Sequence, residues 1–378
     1  MRVTLDVTAV PPSPAGAGRY TLELAAALAV RDDARLVAVA RRADAERWRR
    51  LAVGRMDLVA SAPSSRPLRL AWEQLALPAL LRRARPDVHH GPHYTMPERC
   101  PVPAVVTIHD CTFFDHPEWH EPVKVKFFRR AIRVAAQRAG ALVCVSATTA
   151  RDLETACSVA VPVVVAPHGV DHLRFSPSPP AVGSDQEALR RLGIDPGLRF
   201  VLFLGTVEPR KDVPTLVRAF SLLADDDRDV VLVIAGRRGW RTGPVDDALG
   251  ASRHRDRIKW TGYVPDDAVP ALLRMAAVVA YPSLAEGYGL PALEALACGA
   301  PLVTTRGTAM EELAGDAATL VTPGDPEGLA DALAEVLSDA DGPAAVRRRE
   351  EGFARAAACT WEASADRHVE AYRVAAGL

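Results

Sequence analysis

The feature that most constrains this chain is an alternation repeated from one end to the other: short apolar runs rich in valine, isoleucine and leucine separated by longer amphipathic stretches. Runs that are apolar at every position suit strands covered on both faces. The amphipathic stretches supply the helices that cover them, and the two together are the pattern of parallel α/β sheets. The spacing predicts strands at Arg2 to Val7, Leu36 to Ala40, Asp57 to Ala60, Val88 to His90, Ala104 to His109, Ala141 to Val145 and Val161 to Ala166. A second set is predicted at Phe200 to Leu204, Val230 to Ala235, Ile258 to Thr261, Val278 to Tyr281, Pro301 to Thr304 and Ala318 to Val321. Between the sets lies Phe175 to Gly197, whose SPSPPAVGSD prolines cannot sit in a sheet interior. The expected organisation is a first domain over residues 1–175, a linker over 176–197 and a second domain over 198–360. The helical segment 361–378 follows no strand and is expected to leave its own domain and pack on the first.

Composition narrows the class. With 378 residues, 49% hydrophobic and 25% charged, the chain is long enough for two globular domains and too apolar for disorder. The six cysteines include no C-x-x-C pair, which argues against a disulfide framework or a zinc site and for a reducing cytosol. Met1 to Val10 reads as a strand, so no signal peptide is expected, and no segment approaches the ~18–20 apolar residues that span a bilayer. The net charge of −1 conceals an asymmetry: residues 1–175 carry 24 Lys and Arg against 17 Asp and Glu, the remainder 22 against 30. A basic first half suggests an anionic partner, either a membrane surface or a phosphorylated acceptor; nucleic acid is not expected.

In open parallel sheets, ligands bind beyond the carboxyl ends of the strands, so the residues after each strand come first for function. Between Pro282 and Pro301 the chain reads PSLAEGYGLPALEALACGAP, which places Glu286 in a glycine-rich loop and Glu294 just inside the following helix. Free amides at a helix start attract phosphate and carboxylates select hydroxyls, so a nucleotide sugar satisfies both. Glu294 as a dipole partner and Glu286 as a solvated loop residue account for the same letters. After Phe200 to Leu204 comes GTVEPRKD, where Arg210 and Lys211 precede Asp212, an N-cap candidate. Two cations at a helix start conflict with its dipole unless an anion binds there, and a fork plus a point charge suit a diphosphate; a solvated basic turn is the alternative.

The first strand leads into PPSPAGAGRY, where Gly16 and Gly18 admit close backbone approach to a phosphate or simply satisfy a turn. His109 and Asp110 end the strand that begins at Ala104, so the imidazole is placed either to meet substrate or to bond the backbone. His89, His90 and His93 straddle Gly91-Pro92 and cannot share a helical face, which argues against a metal site there. Val123 to Arg138 sets Val125, Phe128, Ile132 and Ala135 against Lys126, Arg129, Arg130 and Arg133: a surface helix of the first domain, or one that docks on anionic lipid.

Taken together, GAGRY, TIHD, VSATT, APHGVD, FLGTVEPRKD, IAGRRGW, TGYV, SLAEGYGLPALEALACGAP and AGDAATLV resemble the retaining family 4 glycosyltransferases, over almost the whole chain. GTVEPRKD, IAGRRGW and WEQLALP (Trp72 to Pro78) look most like the mannosyltransferase branch that builds polysaccharides and glycolipids. The resemblance implies a GT-B fold, two Rossmann-like parallel-sheet domains facing a cleft. It implies Glu294 on the donor ribose, Glu286 on the transferred sugar, and Arg210 and Lys211 on the diphosphate. Backbone of Gly287, Tyr288, Gly289 and Leu290 would meet sugar hydroxyls or phosphate, Gly16, Gly18 and Gly205 would line the phosphate side, and Tyr263 and Val264 would border the base. His109 would sit beside the anomeric centre. The implied reaction moves a sugar, GDP-mannose being the first candidate donor, to a glycan or lipid-linked acceptor without metal or cofactor, in the cytoplasm or at the inner face of the membrane. Some relatives carry an arginine directly after the strand-end glycine, where this chain has Thr206 after Gly205. An epimerase of the same architecture and a module that only binds nucleotide sugars fit the same residues.

Overall fold

The computed structural model describes residues 1–14, 16–51 and 56–378. The chain divides into two compact units: Met1–Gly169 together with Trp361–Leu378, and Val170–Thr360. Each is built on one parallel sheet.

The first unit holds seven strands, β1 (Arg2–Asp6), β2 (Arg35–Arg41), β3 (Met56–Ala62), β4 (Val88–Gly91), β5 (Ala104–Ile108), β6 (Ala141–Cys144) and β7 (Val163–Val165), in the order β3-β2-β1-β4-β5-β6-β7. The second holds β8 (Arg199–Leu204), β9 (Val230–Ala235), β10 (Ile258–Gly262), β11 (Val278–Tyr281), β12 (Leu302–Thr305) and β13 (Thr319–Val321), in the order β10-β9-β8-β11-β12-β13. Every predicted run is a strand, with ends displaced by at most two residues. The order reverses between β1 and β4 in one sheet and between β8 and β11 in the other. At such a reversal the connections leave in opposite directions and open a crevice at the carboxyl ends of the central strands.

Burial explains why these runs are strands. All five residues of β5 and all four of β11 are buried, as strands covered on both faces require. In the second unit Phe200 and Phe203 of β8 and Phe220 of the helix Val213–Asp226 are wholly buried, and burying a side chain of this kind contributes about 1.5–3 kcal/mol. Gly236 is required by its surroundings: at φ 152° a Cβ would lie 1.9 Å from the Gly205 carbonyl oxygen, so the chain ends of β8 and β9 could not come together.

The last helix, Trp361–Ala376, belongs to the first unit. Trp361, Ala365, His368, Val369 and Tyr372 recur at helical spacing and form its buried face. The close approach of its end depends on Gly140, where a Cβ would come within 2.8 Å of the Ala375 methyl.

Two expectations need correction. The segment 176–197 is more than a linker: it contains the helix Ser184–Arg191, and the second unit begins at Val170. Asp185 of that helix accepts two bonds of 2.7 Å from the Arg274 guanidinium, whose third nitrogen donates to the Ser176 carbonyl at 3.0 Å. The prolines mark only its approach. The helix Pro122–Arg138 turns Val125, Phe128, Ile132, Ala135 and Ala136 into the core, so its apolar side is not free to enter a lipid surface. Of its cations, Arg129 donates to the Phe113 and Phe114 carbonyls and Arg130 grips Glu98 through two bonds of 2.9 and 2.8 Å. Among the described residues no helix is long and apolar enough to cross a membrane.

Candidate active site

In the second unit the reversal point is where the predicted motifs meet. The turn after β8 carries Glu208, Arg210 and Lys211, and the loop after β11 carries Ser283 and Glu286. A backbone bond of 2.8 Å from the Leu284 N–H to the Arg210 carbonyl sets the two loops in register. The Glu286 carboxylate accepts from the Arg210 guanidinium through one oxygen and from the Lys211 ammonium through the other. Ser283 Oγ donates to the second oxygen at 3.1 Å, and Arg210 Nε lies 2.6 Å from Glu208. The β12 hydroxyls fix the frame: Thr305 donates to the Ser283 carbonyl at 2.6 Å and Thr304 to the Tyr281 carbonyl at 3.0 Å.

The four charges balance. Burial alone would raise the Glu286 carboxyl, but the adjacent Arg210 and Lys211 charges outweigh it and hold it at about 2. Burial pushes the Lys211 ammonium down, and Glu286 and Glu208 restore only part of the loss. Sequence reasoning placed Glu286 on the sugar and left the cations to the diphosphate. The structure instead sets the carboxylate on both cations, because the Leu284 bond brings the loops together.

The neighbouring loop is equally determined. Gly289 caps the helix Leu290–Ala297 at φ 105°, and a Cβ there would meet the Met310 sulfur at 2.2 Å, so only glycine fits. Glu294 is buried within that helix, and the Tyr288 hydroxyl points inward to Cys359 at 3.6 Å. Tyr263 is half exposed with the Arg237 guanidinium 4.3 Å over its ring, and Val264 beside it is buried. Asp212 does occupy the N-cap position of the helix Val213–Asp226, in the left-handed conformation (φ 45°).

The remaining predicted residues belong to the first unit. Gly16 caps the helix Ala17–Ala29 at φ 48° and has open space where a Cβ would stand. Gly18 also meets a packing need: its Cβ would press on Pro14 and Pro11 at 3.1 and 3.2 Å. His109 follows β5 and its Nε2 lies 2.8 Å from the Pro92 carbonyl, which can only accept, so Nε2 carries the proton and Nδ1 the lone pair. Burial lowers its pKa and favours the neutral ring.

Beneath His109 lies a buried chain that sequence reasoning did not find. His368 Nδ1 is 2.7 Å from the Ser364 carbonyl and must donate, so His368 Nε2 accepts from the Tyr20 hydroxyl at 2.8 Å. Tyr20 therefore accepts from Thr107 at 2.8 Å, Thr107 from His90 Nε2 at 2.8 Å, and His90 Nδ1 from the Tyr372 hydroxyl at 2.8 Å. One carbonyl thus orients every proton. The imidazoles stay neutral because burial lowers both, His368 to about 4. The Tyr20 ring packs edge-on against His109 at 5.0 Å, so helix Trp361–Ala376 reaches the end of β5 through it.

The residues that gather at the two strand-end crevices match known families over nearly the full length. Residues 184–354 match the model described as "Glycosyl transferases group 1", and residues 14–174 match "Glycosyltransferase Family 4". The chain belongs to the family 4 glycosyltransferases. It is 28% identical to the O-antigen chain mannosyltransferase B of Escherichia coli over 312 residues, 82% of this chain and 78% of that protein. It is 31% identical to the D-inositol 3-phosphate glycosyltransferase of Thermobifida fusca over 54% of this chain, a match that spans about half of that protein (48%). Among solved structures, Anabaena HepE in complex with UDP-glucose superposes with a TM-score of 0.75 at 17% identity, covering 98% of each chain. That likeness shows the fold, which is GT-B.

Proposed function

We propose that this glycosyltransferase moves a hexose, mannose from GDP-mannose in the first instance, to an acceptor hydroxyl of a glycan or glycolipid, with retention at the anomeric carbon and without a metal. The observation that carries the reading is the Arg210–Lys211–Glu286 cluster at the β8/β11 reversal. The similarity to a mannosyltransferase supports the choice of sugar.

When the donor enters, its diphosphate takes the place of the Glu286 carboxylate on Arg210 and Lys211. The diphosphate brings two negative charges to where one carboxylate charge stood, so the buried cations are never left unpaired. Glu286, released, accepts from a hydroxyl of the transferred sugar. As the bond to the anomeric carbon breaks, negative charge grows on the departing phosphate oxygen, and the two fixed cations stabilise that charge more than the ground state. Gly205 and the amides of Gly287, Tyr288, Gly289 and Leu290 hold the phosphate and sugar, Glu294 the ribose hydroxyls, and Tyr263 and Val264 the base. His109, neutral with Nδ1 free to accept, takes a hydroxyl of the acceptor in the first unit. The donor phosphate takes the acceptor proton, which accounts for the lack of a separate base.

Purified protein should release nucleoside diphosphate from a panel of nucleotide sugars only when an acceptor is present, and NMR of the product should show the donor's anomeric configuration. Interconversion of nucleotide sugars without acceptor, or an inverted product, would overturn the reading.

A further inference from the structure

We infer that the first unit carries a second anion site, built for a phosphate group on the acceptor and placed one ring away from His109. The inference rests on the reading above that this unit takes the acceptor.

A cavity of about 320 Å³ opens beyond the carboxyl ends of β1 to β4, at the reversal point of the first sheet. Thr8 enters it from the loop after β1, Arg41 from the end of β2, Ser64 from the loop after β3, and His93 and Thr95 from the loop after β4. The helix Arg66–Leu75 adds Arg66 and Arg69 in its first turn, which contains no acidic residue. Cations there oppose the helix dipole and are relieved by an anion.

The cations differ in how they are used. Arg41 is neutralised by Asp44 at 2.5 Å and donates to the Val10 carbonyl at 2.7 Å. Arg69 donates to Thr8 Oγ1 at 3.2 Å and lies 3.6 Å from the buried Glu73, which also accepts from Thr95 at 3.1 Å. Burial and the nearby Asp6 charge raise the Glu73 carboxyl to about 7, so near neutral pH it is only partly charged and leaves Arg69 partly uncompensated. Arg66 has no hydrogen-bond or ion-pair partner among the described residues. The cavity is thus cationic, with hydroxyls at Thr8 and Ser64 to meet the remaining phosphate oxygens.

His93 joins this end to the reaction end. Its ring lies edge-on to His109 at 5.8 Å and stacks on Phe128, and its buried Nδ1 has no partner. An acceptor with its phosphate on Arg66 and Arg69 would lay one sugar over His93 and the Phe127–Phe128 wall, with a hydroxyl at His109. The ligand class is therefore a phosphorylated saccharide, the phosphate being free or the headgroup of a lipid.

Calorimetry on the full chain with a hexose phosphate and the unphosphorylated hexose tests this without turnover. The expected result is at least about tenfold tighter binding of the phosphate, lost in Arg66→Ala and in Arg66→Glu, each judged folded by circular dichroism. Arg66 is exposed and unpaired, so its removal leaves no buried group without a partner. Sedimentation with phosphatidylcholine vesicles doped with phosphatidic acid separates the sources: Arg66-dependent binding there, stronger than to the hexose phosphate, assigns the phosphate to a lipid headgroup, and the reverse order to a soluble sugar phosphate. Equal affinity for hexose and hexose phosphate, or affinity unchanged in both Arg66 variants, would overturn the site. Transfer to neutral acceptors alongside either result would leave the glycosyltransferase reading intact, and Arg66-dependent phosphate binding without transfer would do the opposite.

Discussion

The two sheets make their crevices at the same topological position and fill them with opposite electrostatics. At the β8/β11 reversal, Arg210 and Lys211 are buried against Glu286 and Glu208, a set of four charges that is complete before any ligand arrives. At the β1/β4 reversal, the histidines are held neutral by burial, the carboxyl of Glu73 is raised towards neutrality, and Arg66 stands alone. On the reading proposed, the first arrangement would exchange one anion for another and the second would take one up. Fold topology fixes where a ligand goes, and only the local charge ledger decides how it is received.

Removing one cation from the complete set should produce the largest effect. Lys211→Ala should lower the transfer rate by about 10²–10³-fold, as loss of one fixed stabiliser of developing charge does. A smaller loss than for Tyr263→Ala, measured as kcat/KM with the best donor, would break the assignment of the β8/β11 crevice to the diphosphate.

The two buried carboxyls sharpen the comparison because their pH responses have opposite signs. Glu286 is depressed from 4.5 to about 2, so its stabilisation is present above the ordinary carboxyl range and is lost as pH falls from about 4.5 to 2. Glu73 is raised from 4.5 to about 7, so the folded state loses stability as pH rises across that interval. Each shift corresponds to at most about 3 kcal/mol, and for Glu286 the lowered ammonium of Lys211 offsets part of it. Urea unfolding at a series of pH values should show Glu286→Gln flattening the acid limb and Glu73→Gln flattening the limb between 4.5 and 7. Parallel slopes in both variants would remove the distinction between the crevices.

The contrast also explains what was legible in the sequence. The strands were, because parallel strands covered on both faces read as continuous apolar runs. Arg210, Lys211 and Glu286 were, because each follows its strand within a few letters. Their mutual ion pairing was not, since it depends on Leu284 bonding across to Arg210, which no spacing announces. The chain from Tyr372 through His90, Thr107 and Tyr20 to His368 was invisible for a stronger reason: its members come from two helices and two strands, and the bonded pair Tyr20 and His368 lies 348 residues apart. Gly18 was ambiguous because a glycine needed to clear Pro11 and Pro14 is spelled like one that clears a phosphate. Arg66 and Arg69 lay inside a helix that drew notice only for the letters WEQLALP that overlap its end.

Breaking that buried chain should cost less than breaking the ion cluster. Tyr20→Phe removes the hydroxyl that donates to His368 and accepts from Thr107, leaving both buried without that partner, a loss of about 1–3 kcal/mol. His368→Leu with Tyr20→Phe replaces two polar groups by apolar ones and should recover part of it. Recovery would show that hydrogen-bond satisfaction, and not the shape of the C-terminal helix, sets the cost; thermal unfolding of the parent and the two variants decides the matter.

The smallest effect is expected where the second unit is least buried. Tyr263 is 52% exposed with the Arg237 guanidinium over its ring, so the ring is a platform and not a wall. If the donor's base lies along it, Tyr263→Ala should weaken donor binding by about 0.5–1.5 kcal/mol, roughly tenfold at most, because the exposed ring surrenders little water on binding. Tyr263→Phe should be neutral, since the hydroxyl has no part in such a contact. Both variants should leave affinity for a hexose phosphate at the first unit unchanged, which is what separates a base platform from a general loosening of the fold.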